Sequence, residues 1–543
     1  MKILIIGGVA AGTKTAAKLK REAPDAEVTI ITKSADISYA GCGLPYYVSQ
    51  VIEHRSELFV NTPESFEALT GAKIINETEV TAVDRANKTV TAVSRSGETS
   101  THSYDKLVIA VGASPIVPKC EGVDLENVFY MGSPEDADKL RAAVDSGEIK
   151  RAVVVGAGLI GLEVAENLNL RDVKTSVIDI APQILPNLLD AEMAGYLENV
   201  IAGEGIMPFT GVGLEAILGE TKVEKVKTSK RAMKADACIL ALGFRPNTAF
   251  LAESGLEMIK GTLVVNEYMQ TNDPDIYACG DCAIVTHRVT GARRWSAMGS
   301  TANICGRLAA RSIAGKNSTP YPGVLSTAVA KMPGINFART GLGEKEAIEC
   351  GYDVETVITV SDDKAHYYPG SNPFIIKMIA DKATHRLLGL QVFGKGNVDK
   401  IVDVAVTAIS LGAVLEDLQY CDFAYAPPFS TAIHPFETAV NILLNKLEGE
   451  YETITPAQLM RGEHEGYRIV DTSIQPQLKA HPYIELTKVN GEVEGFGKDE
   501  KLLLVCNKGK RAYLLQNRLK HYGYTNTRVL EGGTTFNTSL LED

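Results

Sequence analysis

Two glycine-rich turns constrain the fold of this chain most, because each follows an apolar run and precedes a helix-like segment. The first turn is Gly7-Gly8-Val9-Ala10-Ala11-Gly12, and the second is Gly156-Ala157-Gly158-Leu159-Ile160-Gly161. Glycines at such positions let the backbone approach a pyrophosphate, and the helix N-terminus adds N–H donors and positive potential. Two copies in strand–turn–helix context predict an α/β chain with two Rossmann-like dinucleotide-binding domains.

The strands that follow the two turns predict different ribose contacts. The strand from Thr175 to Ile178 ends on Asp179, whose carboxylate would accept a hydrogen bond from a ribose 2′-OH. A carboxylate there would also repel a 2′-phosphate, which favours NADH over NADPH. The strand after the first turn ends on Thr32 and Lys33, so a hydroxyl and backbone groups would have to hold that ribose.

Composition excludes several classes of function. A net charge of −12 argues against broad binding to nucleic acid or anionic membranes, so an anionic ligand would need a local basic cluster. The sequence contains no run of 18 apolar residues, so no membrane span is predicted. The segment from Ile3 to Val9 is too short and too Gly-rich for a signal-peptide core. Nine cysteines without framework spacing fit a reducing compartment, and we predict a cytoplasmic protein.

One cysteine stands shortly after the first nucleotide-binding unit. It lies in the run Ser38-Tyr39-Ala40-Gly41-Cys42-Gly43-Leu44-Pro45-Tyr46-Tyr47. Pro45 is typical of the first position of a helix, which would place the Cys42 sulfur at a helix N-terminus and favour its thiolate. The alternative is that Cys42 is a small buried apolar residue. Elsewhere, Cys279 and Cys282 have the CxxC spacing of a metal or redox pair.

Three further segments resemble the two-dinucleotide flavoprotein disulfide reductases. They are Val108-Ile109-Ala110-Val111-Gly112-Ala113-Ser114-Pro115, Cys238-Ile239-Leu240-Ala241-Leu242-Gly243-Phe244-Arg245-Pro246-Asn247 and Thr271-Asn272-Asp273-Pro274-Asp275-Ile276-Tyr277-Ala278-Cys279-Gly280-Asp281. The resemblance implies that Ala110, Gly112 and Gly243 lie at the links between the nucleotide domains. It also implies that Asp281 binds the ribityl chain of FAD. Cys279 and Cys282 then only flank a flavin motif, and no metal site is expected.

The run around Cys42, with a single cysteine, resembles the coenzyme A-disulfide reductases and their persulfide-reducing relatives. Two later runs share the resemblance, His366-Tyr367-Tyr368-Pro369-Gly370 and Ala424-Tyr425-Ala426-Pro427-Pro428-Phe429-Ser430. It implies a catalytic Cys42, a substrate contact at Ser38, and tyrosines that reach the cysteine across a homodimer interface. Tyr367 and Tyr425 match best, with Tyr368 as a third candidate. A tyrosine hydroxyl can protonate a leaving thiolate, whereas the alternative is aromatic packing in the interface.

The C-terminal segment is predicted to be a separate module after the linker Glu448-Gly449-Glu450. A buried strand, Lys501-Leu502-Leu503-Leu504-Val505, runs into Cys506-Asn507-Lys508-Gly509-Lys510-Arg511, and a helix is predicted from Ala512 to Tyr522. A cysteine in a six-residue loop at a helix N-terminus is surrounded by N–H donors, and Lys508, Lys510 and Arg511 would attract anions. This loop resembles that of a rhodanese-like domain with Cys506 as its sulfur carrier. A degenerate, non-catalytic module is the alternative, because Thr472 and Ser473 follow Asp471 where an arginine usually stands.

These resemblances give a fold class of α/β, with an α+β dimerisation domain and a C-terminal rhodanese-like α/β domain beside the two nucleotide domains. The predicted boundaries are 1–112 with 245–320 for FAD, 113–244 for NAD(H), 321–447 for dimerisation and 453–543 for the rhodanese-like domain. The dimerisation domain is expected to end in a helix from Thr438 to Leu447.

The implied function is NADH-driven, FAD-dependent reduction of a small sulfur substrate. Coenzyme A is a possible further cofactor or substrate, with Lys14, Lys18 and Arg21 as candidate phosphate contacts or simply a solvated helix face. Gly41 departs from the asparagine usual in coenzyme A-binding members. Two alternatives stay open: an NADH oxidase or peroxidase that uses a Cys42 sulfenic acid, and a sulfur-carrier or docking protein that acts through its tail.

Overall fold

The computed structural model describes residues 1–316 and 319–541. Residues 317–318 of the predicted FAD segment and residues 542–543 of the predicted rhodanese-like segment lie outside the described residues. The chain divides into two compact units. One comprises Met1–Pro182 and Gly205–Val324, and the other comprises Gln183–Glu204 and Leu325–Asp543.

The first unit begins with a five-stranded parallel sheet. In spatial order its strands are Ile276–Ala278, Lys106–Ile109, Lys2–Ile6, Glu27–Ile31 and Lys73–Ile75. The helix Ala10–Glu22 begins inside the first glycine-rich turn. The helix Gly299–Ile313 crosses it closely, because a Cβ at Gly306 would lie 2.6 Å from the Ala11 carbonyl oxygen.

A second parallel sheet in the same unit repeats this arrangement. Its strands in spatial order are Met207–Phe209, Lys174–Ile178, Arg151–Val155, Ala237–Leu240 and Val128–Phe129. The helices Pro134–Asp145 and Leu159–Asn169 accompany it. The Ser133 side chain caps the first of them by accepting from the Asp136 N–H, and Pro134 suits its first turn. Two Rossmann-like nucleotide-binding folds are therefore present.

Smaller elements surround these sheets. One antiparallel sheet consists of Thr78–Asp84, Thr89–Ser94 and Thr99–Ser103, and another consists of Leu214–Leu218, Lys225–Thr228 and Ala232–Lys234. A mixed sheet consists of Met258–Ile259, Thr262–Val264, Ala283–Thr286 and Arg293–Trp295, in which Thr262–Val264 and Ala283–Thr286 pair in parallel. The strand Ala113–Pro115 pairs antiparallel with Phe244–Pro246. The short helices are Gly41–Gly43, Leu44–Val48, Arg55–Leu58, Pro63–Thr70 and Ala249–Leu251. Pairing of Ala113–Pro115 with Phe244–Pro246 joins the two predicted links directly.

The second unit contains a five-stranded antiparallel sheet. In spatial order its strands are Ala328–Met332, Ile335–Gly341, Leu387–Gly394, Pro373–Asp381 and Val354–Asp362. Its helices are Ala191–Gly203, Glu344–Glu349, Val398–Leu411, Leu415–Leu418 and Pro435–Leu447. The last of these starts three residues before the predicted Thr438, because His434 caps it and Pro435 fits its first turn.

The C-terminal segment of this unit is an α/β module with its own parallel sheet. The strands in spatial order are Thr453–Ile454, Thr527–Leu530, Leu502–Val505 and Arg468–Asp471. The helices are Pro456–Met460, Leu486–Lys488, Lys510–His521, Gly533–Phe536 and Thr538–Leu541. The helix after Cys506 starts at Lys510 rather than at the predicted Ala512, since Gly509 takes the left-handed conformation at its N-cap. None of the helices in the described ranges has the length and hydropathy needed to span a bilayer.

Candidate active site

The two glycine-rich turns have the same geometry. In the first, Gly7 has φ +108° and a Cβ there would lie 2.1 Å from the Ala110 carbonyl oxygen. In the second, Gly156 has φ +111° and its Cβ would lie 2.2 Å from the corresponding carbonyl oxygen, that of Ala241. These positions tolerate only glycine.

The third glycine of each turn also faces a close backbone. A Cβ at Gly12 or at Gly161 would lie 1.9 Å from the carbonyl oxygen of Gly7 or Gly156, respectively. Space beside Gly158 is open, with no atom within 4 Å of a built Cβ. Both helices therefore begin where the backbone can approach a phosphate-bearing ligand, with Ala10 and Ile160 in their first turns.

Asp179 lies at the second turn, as predicted, but its carboxylate already holds the protein backbone. Oδ2 accepts from the Ala157 N–H at 2.7 Å and Oδ1 from the Ala181 N–H at 2.8 Å. A carboxylate has about four acceptor positions, so a ribose hydroxyl can still be accommodated. The Ala157 contact fixes the carboxylate against the turn.

The residues predicted around the first turn have distinct positions. Thr32 is 6% exposed, and its methyl carbon would lie 3.1 Å from a Cβ on Gly8. Lys33 instead pairs with Glu79 at 3.1 Å and is mostly exposed. Ser38 donates its N–H to the Gly8 carbonyl at 2.9 Å and has φ +51°, so the cysteine-bearing run is tied to the turn.

The predicted links also meet around glycines with positive φ. Gly112, at φ +65°, accepts from the Asn247 N–H at 3.1 Å, and Gly243, at φ +95°, accepts from the Ile116 N–H at 3.0 Å. Ala110 is 8% exposed and covers Gly7. The two links are thus built from reciprocal backbone hydrogen bonds.

The CxxC segment has no features of a reactive pair. Cys279 and Cys282 are free thiols with no exposed surface, and burial raises the pKa of each to about 12. The Cys282 thiol donates to the Ile109 carbonyl at 3.3 Å. Between them, half-buried Asp281 has a carboxyl pKa raised by burial. The geometry fits the interpretation that the cysteines flank a polar motif.

Cys42 is exposed, so the buried-apolar alternative for it is wrong. The expectation of a stabilised thiolate at a helix N-terminus is also not met. Cys42 lies in the 3₁₀ turn Gly41–Gly43, and the following helix Leu44–Val48 has only five residues, with Pro45 second. Desolvation by the surrounding protein, followed by the negative charges of Glu163 and Asp281, raises the pKa of the Cys42 thiol.

Glu163 is a site residue to which the sequence assigned no role. It lies on the helix Leu159–Asn169, and burial, followed by the charge of Glu166, raises its pKa to about 7. Its position in the helix that follows the second turn was visible in the sequence, but its proximity to Cys42 depends on tertiary packing. Glu163 therefore changes charge near neutral pH beside the candidate nucleophile.

The basic residues of the first helix differ in whether an acidic side chain already pairs with them, and so in whether they are available to bind an anion. Lys18 forms an ion pair with Glu22 one turn later, and both side chains are largely buried. Lys14 is half-buried and Arg21 is exposed. Within the described ranges, neither Lys14 nor Arg21 has an acidic partner within 4.0 Å, so these two are the more available for an anion.

The candidate tyrosines meet on the second unit. Tyr367 and Tyr425 are 66% and 48% exposed, and hydrogen bonding to Tyr367, followed by burial, raises the pKa of Tyr425. Tyr368 is less exposed, at 38%. Nearby, His434 is structural. Burial, followed by the charge of Lys400, lowers its pKa to about 4, and its Nδ1 accepts from the Phe436 N–H.

Cys506 lies at the carboxyl end of the strand Leu502–Val505 and is 3% exposed. Its sulfur accepts from the Ala512 N–H at 3.4 Å, and its carbonyl accepts from the Thr534 N–H at 3.0 Å. A Cβ on Gly533 would lie 2.0 Å from the same carbonyl oxygen. The loop therefore holds the Cys506 sulfur at the N-terminus of the helix Lys510–His521, and the backbone at Gly533 and Thr534 packs against the Cys506 carbonyl.

The three basic residues of this loop do not act together. Lys508 pairs with Asp362 at 2.6 Å, outside the C-terminal module. Arg511 pairs with Glu485 at 3.0 Å and donates to a backbone carbonyl. Only Lys510 is exposed and has no acidic partner within 4.0 Å in the described part of the chain.

Two family models match this chain. Residues 1–302 match the pyridine nucleotide-disulphide oxidoreductase model, and residues 328–435 match the dimerisation domain of the same family. The chain belongs to the pyridine nucleotide-disulphide oxidoreductase family.

Several members of this family are similar over most of the chain. A Methanocaldococcus jannaschii NADH oxidase is 35% identical over 450 residues, which are 83% of this chain and 100% of that protein. A Pyrococcus horikoshii NAD(P)H coenzyme A polysulfide/persulfide reductase is 34% identical over 81% of this chain and 98% of its own. The structure of an NAD-dependent persulfide reductase from A. fulgidus covers 99% of this chain and 100% of its own, with 34% identity and a TM-score of 0.94.

Membership in the pyridine nucleotide-disulphide oxidoreductase family makes this protein an NAD(P)H-dependent flavoprotein oxidoreductase that uses FAD and NADH. The structure fits both FAD and NADH, because each glycine-rich turn opens a helix whose N-terminal N–H groups could bind a pyrophosphate, and the space beside Gly158 is open. A dimerisation domain is present. The assignment of FAD to the first turn and of NADH to the second stays a prediction, as do the roles of the individual residues.

Proposed function

We propose that this oxidoreductase reduces sulfane sulfur or a disulfide, such as a persulfide, polysulfide or coenzyme A disulfide, through Cys42. The observation that carries the proposal is the position of Cys42. It is an exposed thiol in the unit that holds both nucleotide turns, beside Glu163 and Asp281. The turn at Gly7 would hold FAD and the turn at Gly156 would hold NADH, which supply two electrons.

The chemistry at Cys42 follows from its being the one cysteine in its segment. Its thiolate would attack a sulfur of the substrate, forming an S–S bond to Cys42 and releasing a thiolate. Tyr367 or Tyr425, both of which are exposed on the second unit, would donate a proton to that leaving group across a homodimer interface. Two electrons supplied by NADH would then cleave the S–S bond at Cys42, which returns Cys42 to its thiol and releases the bound sulfur group as a second thiol or as sulfide.

The C-terminal module supports the choice of a sulfur substrate. We propose that it is rhodanese-like and that Cys506 accepts sulfane sulfur as a persulfide, stabilised by N–H groups at the start of the helix Lys510–His521. The persulfide reductase structure from A. fulgidus matches 99% of this chain, so its match extends over the C-terminal module. Cys506 has little exposed area, which favours exchange of sulfur with a small molecule over exchange with a protein.

An NADH oxidase or peroxidase is the second candidate. An exposed Cys42 thiol could cycle through a sulfenic acid, and the Methanocaldococcus jannaschii relative is named an NADH oxidase. That reaction would need oxygen or peroxide and no sulfur acceptor.

The test is anaerobic NADH consumption by the purified flavin-loaded protein. Coenzyme A disulfide, coenzyme A persulfide and polysulfide are compared for wild type, Cys42→Ser and Cys506→Ser. We expect turnover with at least one sulfur acceptor that is lost in Cys42→Ser. Turnover with oxygen or peroxide and with none of the sulfur compounds would instead establish the second candidate.

Coenzyme A binding has its own test at Gly41. A Cβ built there meets no atom within 4 Å, so a side chain fits. If coenzyme A binds beside Cys42, Gly41→Asn should lower the KM for coenzyme A disulfide relative to wild type. An unchanged or higher KM would argue against a coenzyme A contact at this position.

A further inference from the structure

Lys508 connects the Cys506 loop to a part of the chain that lies outside the C-terminal module. It is the second residue after Cys506, and its Nζ lies 2.6 Å from Asp362 Oδ1. The two side chains are 39% and 25% exposed, so the ion pair is partly shielded from solvent. Asp362 is the last residue of the strand Val354–Asp362 in the antiparallel sheet.

Asp362 is also where that strand enters the segment that carries Tyr367. The base of this segment is closed by Asp363, whose N–H donates to the Asn372 carbonyl at 2.8 Å. The Asp363 carboxylate accepts from the Asn372 N–H at 2.9 Å in return. The segment is thus held rigidly at its base, next to the residue that Lys508 contacts.

The tip of the same segment is joined to the run that carries Tyr425. Ala365 donates its N–H to the Pro427 carbonyl at 3.3 Å, which brings the Tyr367 segment beside the run that carries Tyr425. A continuous series of contacts therefore leads from the Cys506 loop, through Lys508 and Asp362, to the segments that carry the two tyrosines.

A second contact holds the same face of the module. The Glu531 carboxylate accepts from the Ile358 N–H at 2.7 Å and pairs with Lys446 at 2.8 Å. In the described part of the chain the Glu531 side chain contacts Ile358, Lys446 and Thr453, and none of these residues belongs to the Cys506 loop. Loss of the Lys508 pair should therefore alter the position of the loop without releasing the module.

We propose that Lys508 is a positioning residue that aligns the Cys506 loop with the Tyr367 segment, so that sulfur accepted at Cys506 is delivered efficiently for reduction. This inference rests on the proposed function. It differs from the sequence-based expectation that Lys508 binds an anionic substrate directly, because its ammonium group is already paired with Asp362.

The experiment compares two NADH-driven reactions of the full-length flavin-loaded protein under anaerobic conditions. Under the proposed function, polysulfide is the probe whose sulfur is first accepted at Cys506 and then reduced through Cys42, and coenzyme A disulfide is the probe that needs only Cys42. The quantity measured is the ratio of the two kcat/KM values. Variants are Lys508→Met, Lys508→Arg and the charge exchange Asp362→Lys with Lys508→Asp. Lys520→Met is the matched control, because it breaks another lysine–carboxylate pair of the module, that with Glu452.

We expect Lys508→Met to lower the ratio about fivefold, as suits loss of one partly exposed ion pair, and Lys508→Arg to keep it. The charge exchange should restore the ratio to within about twofold of wild type, which a directly binding lysine would not allow. A Lys508→Met ratio equal to that of Lys520→Met, or no recovery on charge exchange, would overturn the inference. If wild type reduces neither sulfur probe, the proposed function fails and the inference fails with it, whereas an active wild type with an unaffected Lys508→Met defeats the inference alone.

Discussion

The Glu531 carboxylate, which has no exposed surface, accepts a hydrogen bond from the Ile358 N–H at 2.7 Å. Its other oxygen binds Lys446 at 2.8 Å and the Thr453 hydroxyl at 2.6 Å. A single side chain thereby joins the end of the strand Thr527–Leu530 to the antiparallel sheet and to the helix Pro435–Leu447.

Glu531→Gln should weaken the attachment of the C-terminal module. Loss of hydrogen bonds to a charged group costs about 1.5 to 3 kcal/mol, which corresponds to at least a tenfold rise in local opening. We expect native-state proteolysis in the linker at residues 448–450 to accelerate by about tenfold or more. Glu452→Gln, which removes the charge of a more exposed carboxylate in the same module, is the control and should change the rate little. Equal rates in the two variants would contradict this role of Glu531.

Lys377→Met should destabilise the antiparallel sheet region strongly. Lys377 is 1% exposed and pairs with Asp190, Glu192 and Glu344. Desolvation opposes its charge, but these three carboxylates raise the pKa of Lys377 above its ordinary value. Removing one partner of a buried pair costs about 3 to 5 kcal/mol, to be measured by calorimetric unfolding. Lys382→Met, at an exposed pair with Glu355, is the control and should cost far less.

The pH dependence of the Lys377→Met defect has a definite sign. In wild type, burial raises the pKa of Asp190 but Lys377 lowers it more, so the net pKa is below its ordinary value. Its stabilisation is therefore complete above the ordinary aspartate pKa and is lost as the pH falls through the folded-state value. Without Lys377, burial raises the pKa, and the stability gap between variant and wild type should narrow from pH 7 toward pH 5. A gap that widens over this range would contradict the prediction.

Glu163→Gln should make the Cys42 thiol more acidic. The Glu163 charge contributes to the raised pKa of Cys42, and Glu163 has its own pKa raised to about 7. In wild type this charge disappears below about pH 7, so the alkylation profile of Cys42 should deviate from a single titration. In the variant, the pH midpoint of iodoacetamide alkylation should fall. Glu135→Gln, which removes a carboxylate with no such effect on Cys42, should leave it unchanged.

Alanine substitutions should separate the two nucleotide sites. A methyl group at Gly12 or Gly161 would lie 1.9 Å from a carbonyl oxygen and would push the following helix away from the turn. We expect Gly12→Ala to be purified with little flavin, and Gly161→Ala to retain flavin while its KM for NADH rises about tenfold or more. Gly195→Ala, where a Cβ meets no atom within 4 Å, is the control. Flavin loss in Gly161→Ala with retention in Gly12→Ala would reverse the predicted assignment.

The repeated turns could be predicted because their chemistry is local: an apolar strand, a bare backbone and a helix start are adjacent in sequence. The position of Cys42 after the first turn could be predicted in the same way, but the charges that surround its thiol could not. Glu163 is 121 positions away, and only the packing of two short elements brings its charge to the thiol. The contacts of Lys508 and Glu531 could likewise not be predicted, because their partners Asp362 and Ile358 lie more than 140 positions earlier.

The helix Ala191–Gly203 lies within the stretch 113–244 that the sequence suggests as an NAD(H) domain, yet residues 183–204 pack with the other compact unit. It supplies Glu192 to the Lys377 cluster, and its Tyr196 ring stacks on Phe393 with centroids 5.7 Å apart. A chimera that exchanges 113–244 as one cassette would therefore import a foreign helix into the host's antiparallel sheet. Recombination between relatives should succeed only when 183–204 is inherited together with the rest of the second unit, since Tyr196 also stacks on Phe536 of the C-terminal module.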